Sequence, residues 1–376
     1  MQAAATDITH KDYPRAESPE TADALAWAFK NKEEMVPYYF NFPALGDHEV
    51  RGRVLYAGLC HSDCMTARSL WGTCPYPACV GHETVCEVTH VGTKVTTCKV
   101  GEIVGFGPLV DCCNTCDFCK AGKDNLCCTM SLGQRTQYPL RFGGYATHIQ
   151  NPEWYAVKIP SDMDLSNIPP LFCAGVTVFG PMQRLITQPE KTRIAVLGIG
   201  GLGHLAVQYG NKMGCQVAGF TTTKEKEEYI KKIGGHEVIV VDNDLKELEK
   251  HHNKFDFLIN TLPISDSKIF DAYMKTLKNE GAIIQVGLPS SDTQMSFGFG
   301  SLVARQLSIH GSICGSIKEC QDTVDFAHKH GIRVETEMFS FEDFPKAFDK
   351  LENGRPFFRC VVNVKDFNDK HFPKTN

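Results

Sequence analysis

The spacing of apolar residues divides the chain into two kinds of text. From Val50 to Gly105 it runs in short β-branched stretches cut by glycine: Arg53–Tyr56, Thr84–Val88 and Glu102–Val104. Such runs bounded by turn residues predict antiparallel strands of an all-β region. The character changes near Ser166. Beyond it, apolar runs at Arg193–Gly198, Gln216–Phe220, Val238–Val241, Phe255–Asn260 and Ala282–Val286 alternate with helical stretches such as Leu202–Met213 and Lys224–Ile233. Strand and helix in close succession predict a parallel, doubly wound sheet. A last mixed segment from Gly311 carries helices at Lys318–His330 and Phe344–Glu352 and a closing strand at Cys360–Val364. Residues 1–22 are polar without periodicity and predict a loose tail.

A length of 376 residues exceeds one ordinary core, so two domains are expected. With 42% hydrophobic and 22% charged residues the composition is globular, and a net charge of −5 disfavours a nucleic-acid-binding surface. No apolar stretch approaches the roughly 20 residues that span a membrane. Met1–His10 has neither the basic start nor the apolar core of an export signal. The 17 cysteines are therefore expected in a reducing, cytoplasmic setting, where their spacings read as metal sites rather than disulfides.

Chemistry enters with Cys113-x-x-Cys116-x-x-Cys119 followed by Cys127. Four thiolates at that spacing close a tetrahedron around one zinc ion, leaving no open position, so this metal is read as structural. Cys60, His82 and Cys173 supply two thiolates and an imidazole, a set that leaves one position for water or substrate. Glu83, beside His82, is either an outer carboxylate or a fourth ligand that exchanges with substrate. Two zinc ions per chain are expected.

Gly198-Ile-Gly200-Gly201-Leu202-Gly203 follows a buried strand and opens a helix, the context of a dinucleotide fingerprint. Its glycines allow a tight turn, a close approach of backbone to pyrophosphate, and close packing of helix on strand. An acid at the end of the next strand would hold a ribose 2′-hydroxyl and repel a 2′-phosphate. Here that position reads Thr221-Thr222-Thr223-Lys224, with Lys226 behind. Hydroxyls and ammonium groups suit a phosphate, which favours NADP(H). A threonine that caps the following helix would account for part of the same pattern.

These motifs, together with Gly58-Leu-Cys60-His61-Ser62-Asp63, Gly81-His82-Glu83-Thr84, Phe142-Gly-Gly-Tyr145 and Leu171-Phe-Cys173-Ala-Gly175, resemble those of the zinc-containing medium-chain alcohol dehydrogenases, especially the cinnamyl alcohol dehydrogenase group. The resemblance runs from about Leu25 to Val364. It implies an α/β protein in which a GroES-like, β-rich catalytic domain, 23–173 and 312–376, brackets a Rossmann domain over 174–311, with the active site in a cleft. It also implies catalytic zinc on Cys60, His82 and Cys173 with Glu83 nearby. Ser62 would begin a proton relay, His61 would lie near the cofactor pyrophosphate, and Asp63 would steady His82. Met65 stands where relatives often carry a relay histidine, Cys86 replaces a usual glycine and Val80 a usual proline. Leu132 and Ile313 occupy places where cinnamyl enzymes carry large aromatics, and Trp71 is a candidate to compensate. Relatives pair into dimers along a sheet edge that would here be Met295–His310.

The expected reaction is reversible hydride transfer between NADPH and an aldehyde or primary alcohol, with zinc as Lewis acid and Ser62 as proton donor. Two other readings compete: a zinc-independent reductase of polarised C=C or C=N bonds, and a non-catalytic redox-sensing protein. Loss of a zinc ligand or of the relay hydroxyl would mark the first, and neither is lost.

Overall fold

The computed structural model describes residues 13–131, 135–138, 141–242, 245–289, 293–296, 298–354 and 356–373. The chain forms two compact units. One takes the chain up to Cys173 and resumes over Gly315–His328 and from Arg333; the other is Ala174–Cys314 with Lys329–Ile332. The return to the first unit falls at Gly315.

In chain order the first unit contributes β1 (Ala24–Phe29), β2 (Met35–Phe40), β3 (Glu49–Leu59), β4 (Thr84–Val91), β5 (Ile103–Phe106), β6 (His148–Pro152) and β7 (Val157–Lys158). The second unit contributes β8 (Arg193–Leu197), β9 (Gln216–Thr221), β10 (Glu237–Val240), β11 (Phe255–Asn260), β12 (Leu277–Gln285) and β13 (Ser308–Gly311). After the return come β14 (Thr336–Ser340) and β15 (Arg359–Asn363).

The first unit is built on a sheet of order β14-β15-β3-β4-β5-β7, with β6 also on β3. Its pairs are antiparallel, as the glycine-cut runs predict, except β14 with β15. That pair is parallel because the helix Phe344–Asn353 lies between the two strands, and a parallel pair needs such a crossover. β3 pairs with β15, β4 and β6 and is buried almost throughout, so its C-terminal end is a rigid place from which to present Cys60.

Within the expected tail, residues 1–12 lie outside the described residues. Tyr13 departs from a loose segment: it is 1% exposed, and its ring stacks on Phe142 at 4.8 Å with planes 5° apart. Burying an aromatic ring outweighs the ordering entropy of a few residues, and Ala16 N–H donates to the Tyr39 carbonyl at 2.9 Å to complete the attachment.

The second unit has one six-stranded sheet, order β10-β9-β8-β11-β12-β13, parallel throughout. Parallel strands carry cover on both faces, which is why these runs are continuously apolar. Strand order reverses between β8 and β11, so the loop leaving β8 sits at the switch point where doubly wound sheets bind ligands. The helix after it, Gly203–Met213, ends on Gly214 at φ +105°, a left-handed cap that glycine adopts without cost. The expected helix Lys224–Ile233 begins as one 3-10 turn, Lys224–Lys226, and is α-helical over Glu227–Lys232. Among the described residues of the expected edge segment Met295–His310, strand appears in the last ones, where β13 begins, and Phe299–Ala304 is helical. No described helix is long and apolar enough to cross a membrane.

Candidate metal centre and cofactor cradle

Three local structures converge on one point of the first unit. Cys60 closes β3 and leads into the short helix His61–Ala67; His82 and Glu83 immediately precede β4; Cys173 ends the 3-10 turn Pro169–Phe172. The ligand atoms of Cys60, His82, Glu83 and Cys173 all lie within 4.8 Å of one another, and all four residues are buried. Cys60 Sγ is 4.0 Å from Cys173 Sγ. Two thiolates on a tetrahedral zinc, with Zn–S bonds of about 2.3 Å, stand about 3.8 Å apart. The donors therefore fit a zinc ion with little movement.

Electrostatics favour the same state. A hydrogen bond from Cys173, together with His82 and the Arg359 charge, outweighs burial and pulls the Cys60 thiol well below its ordinary pKa. Burial opposes a charge on His82, but Asp63 and Cys60 together more than offset it and raise the imidazole well above its usual value. A cation on the ring would take the place of that proton.

Glu83 forms a buried ion pair with Arg359 of β15. Burial pushes the Glu83 carboxyl up to about 7, against the opposing pull of Arg359. Its Oε1 accepts from Arg359, while Oε2 is buried without a hydrogen-bond partner among the described residues. An orphaned acceptor beside two thiols and an imidazole is a group that a cation would satisfy. Arg359 escaped the sequence reading. The signal was there in outline, since an arginine inside the apolar run Phe357–Val362 must find a buried partner.

Ser62 is half-buried, and its Oγ lies 3.5 Å from Cys60 Sγ, beside the ligand cluster. Asp63 Oδ1 lies 2.9 Å from His82 Nδ1, the steadying contact expected of it, and Asp63 Oδ2 accepts the Cys60 N–H at 3.1 Å. His61 is exposed and Met65 half-buried. Cys86 is buried, its sulfur filling the space beside Gly52, and Val80 is buried as well. Trp71 and Ile313 are 36% and 43% exposed; Leu132 lies outside the described residues.

The second cluster gathers Cys113, Cys116, Cys119 and Cys127 with sulfurs within 4.8 Å of one another. Cys113 and Cys119 are 3.8 Å apart, Cys116 and Cys119 3.5 Å. Hydrogen bonds led by Thr115 and Thr129 lower the Cys113 thiol to about 5. The four positions span one loop and its short helical turns, so a metal here would staple a lobe poor in regular structure.

In the second unit the fingerprint turn is shaped as its glycines require. Gly198 has φ +83°, and a side chain at Gly203 would drive into the Gly198 carbonyl. Open space surrounds the position a Cβ of Gly200 would take, room for a phosphate group. Gly201 and Leu202 are half-buried beside it. Thr261, absent from the sequence reading, donates to the carbonyls of Leu197 and Gly198 at 2.8 and 2.9 Å and holds the turn. Beyond β9, Thr222 and Lys224 are exposed, Thr221 is buried and Thr223 half-buried. The Thr223 hydroxyl makes no capping bond; its N–H instead donates to Thr221 Oγ1 at 3.0 Å. Helix capping by Thr223 therefore does not account for the threonine run. Lys226 Nζ donates to the carbonyl of Ile199, inside the fingerprint, at 2.8 Å.

Comparison with known proteins adds a family to this geometry. Residues 46–161 match the model described as alcohol dehydrogenase GroES-like domain, and residues 201–329 the model described as zinc-binding dehydrogenase. Probable cinnamyl alcohol dehydrogenase 6 of Arabidopsis thaliana is 32% identical over 356 residues, covering 93% of this chain and 96% of that one. The chain belongs to the zinc-containing medium-chain alcohol dehydrogenases. As a zinc-binding alcohol dehydrogenase it has close structural counterparts. A cinnamyl alcohol dehydrogenase of Sorghum bicolor superposes with a TM-score of 0.84 at 29% identity, covering 91% of this chain and 97% of its own. The corresponding enzyme of Helicobacter pylori, solved in complex with NADP(H), gives 0.81 at 29% identity, with 91% and 98% covered. The expected GroES-like and Rossmann-type α/β architecture holds, and membership makes the protein an oxidoreductase of alcohols.

Proposed function

We propose that this dehydrogenase reversibly transfers hydride between NADPH and an aldehyde or primary alcohol, with one zinc ion at an open site and a second stapling the cysteine lobe. The observation that carries the reading is the buried convergence of Cys60, His82, Glu83 and Cys173, whose ligand atoms lie within 4.8 Å of one another. Zinc bound there would supply Lewis acidity toward the substrate oxygen, and the nicotinamide would supply the hydride. Cys60 and Cys173 would hold the ion as two thiolates, which together would offset its charge. Ser62, next to Cys60, would hand its proton to the substrate oxygen and recover it from solvent or from the cofactor ribose, since Met65 offers no relay.

NADPH preference rests on the acid-free end of β9 and on Lys226, whose ammonium sits against the Ile199 carbonyl of the fingerprint. A relative solved with NADP(H) supports the same choice. In this reading Gly198, Gly200, Gly201, Leu202 and Gly203 would face the pyrophosphate, while Thr221, Thr222, Thr223, Lys224 and Lys226 would face the 2′-phosphate. Cys113, Cys116, Cys119 and Cys127 have a structural role. A homodimer fits the edge position of β13 and the exposed Phe299 and Val303 of the helix before it. Seventeen cysteines, read as thiols and metal ligands rather than as disulfides, suit a reducing, cytoplasmic setting.

The test is NADPH oxidation against a panel of aldehydes, repeated with NADH and after removal of zinc by a chelator. Turnover that survives complete loss of the open-site metal sinks the zinc mechanism. Equal rates with NADH at low cofactor concentration sink the NADPH assignment alone.

A further inference from the structure

His82 Nδ1 has two neighbours of opposite character. Asp63 Oδ1 lies at 2.9 Å and the Tyr138 hydroxyl at 2.7 Å. The Tyr138 ring meets the imidazole at 5.5 Å between centroids, tilted by 55°. All three side chains are buried: Tyr138 is 6% exposed, His82 3% and Asp63 0%. Asp63 is a shared acceptor. The Gly81 N–H donates to Oδ1 and the Cys60 N–H to Oδ2, both at 3.1 Å, and the Tyr145 hydroxyl also donates to Oδ2.

We propose that Tyr138 is a positioning residue for the metal ligand His82, a role that rests on the zinc reading above. A metal-bound imidazole carries its single ring proton on the nitrogen away from the metal. With Nδ1 held between Asp63 and Tyr138, Nε2 is the nitrogen left for the metal. Nδ1–H donates to Asp63 Oδ1 and shares its proton with the Tyr138 oxygen. Two oxygen partners on one nitrogen thereby fix both the tautomer and the rotation of the ring. Asp63 alone would fix the tautomer; the phenol, approaching from another direction, removes the remaining swing about the Cβ–Cγ bond. Outer partners of metal ligands typically change metal affinity or activity by about 10- to 100-fold.

The experiment follows zinc transfer from the loaded protein to a chromogenic chelator. The lobe metal acts as an internal control, its phase identified by its absence in Cys116→Ser. Tyr138→Phe is expected to release the open-site zinc about 10-fold faster or more, with the lobe phase and the melting temperature little changed. Tyr138→Gln, whose amide oxygen restores an acceptor for Nδ1–H, should recover part of the slow release. Tyr138→Met, a flexible filler, carries the same expectation as Tyr138→Phe where the latter does not fold. Release within twofold of wild type in the apolar variants overturns the proposal, as does equal acceleration in the glutamine variant. A wild-type protein that binds no zinc at the open site would instead remove the reading beneath it, and the two failures are told apart by the wild-type metal content.

Discussion

Arg359 of β15 and Glu83, which leads into β4, form an ion pair in which both side chains are almost fully buried. Removing one partner leaves an uncompensated buried charge, which costs about 3–5 kcal/mol. Arg359→Met should therefore lower stability by roughly that amount in urea unfolding. The double variant Glu83→Gln with Arg359→Met should be more stable than Arg359→Met alone. If the double variant is the less stable of the two, the pair is not what holds these strands in place.

Lys226 Nζ sits on the Ile199 carbonyl. A charge-assisted contact to a 2′-phosphate is worth about 1.5–3 kcal/mol, so Lys226→Ala should raise the KM for NADPH by about 10- to 100-fold. The KM for NADH should change little. Steady-state kinetics with both cofactors check this, and parallel losses would point to distortion of the fingerprint instead.

Cys116 belongs to the lobe cluster. Cys116→Ser is expected to reduce zinc from two ions per chain to one and to lower the melting temperature, because a structural metal contributes its binding energy to folding. Elemental analysis and calorimetry read the two effects, and the ion that stays should be the one required for turnover.

His148 of β6 gives a pH dependence that does not involve a metal. Burial, with Arg53 and Arg51 nearby, depresses its imidazole to about 3. The unfolded chain, with an ordinary histidine near 6.5, then binds more protons than the folded one between those values. Its stabilisation is complete above about pH 6.5 and is lost as pH falls toward about 3. His148→Gln should flatten this part of the stability–pH curve measured by urea unfolding, and an unchanged slope between pH 6 and 4 would count against the assignment.

Much of the molecule was legible beforehand because its signals are local. The glycines of Gly198–Gly203 answer to backbone geometry within one turn, and Cys113–Cys127 to the reach of one loop. The parallel sheet announced itself through apolar runs buried on both faces. Less legible were the hairpin β1–β2 and the helix Ala174–Leu185. Pro181 lies inside that helix, and a proline within a run reads as a break rather than as an interior residue. β14 was missed because it is an edge strand of mixed exposure.

By itself the chain's sequence determined which donor atoms exist and in what order, and hence the two metal sets, the dinucleotide turn and the family. Only the tertiary structure decided what stands behind those donors. Arg359 meets Glu83 across 276 positions, Tyr138 meets His82 across 56, and Lys226 reaches Ile199 across 27. Periodicity and spacing report a residue's neighbours along one element. These contacts join different elements, and they depend on sheet order, register and side-chain packing, which no short stretch of sequence carries.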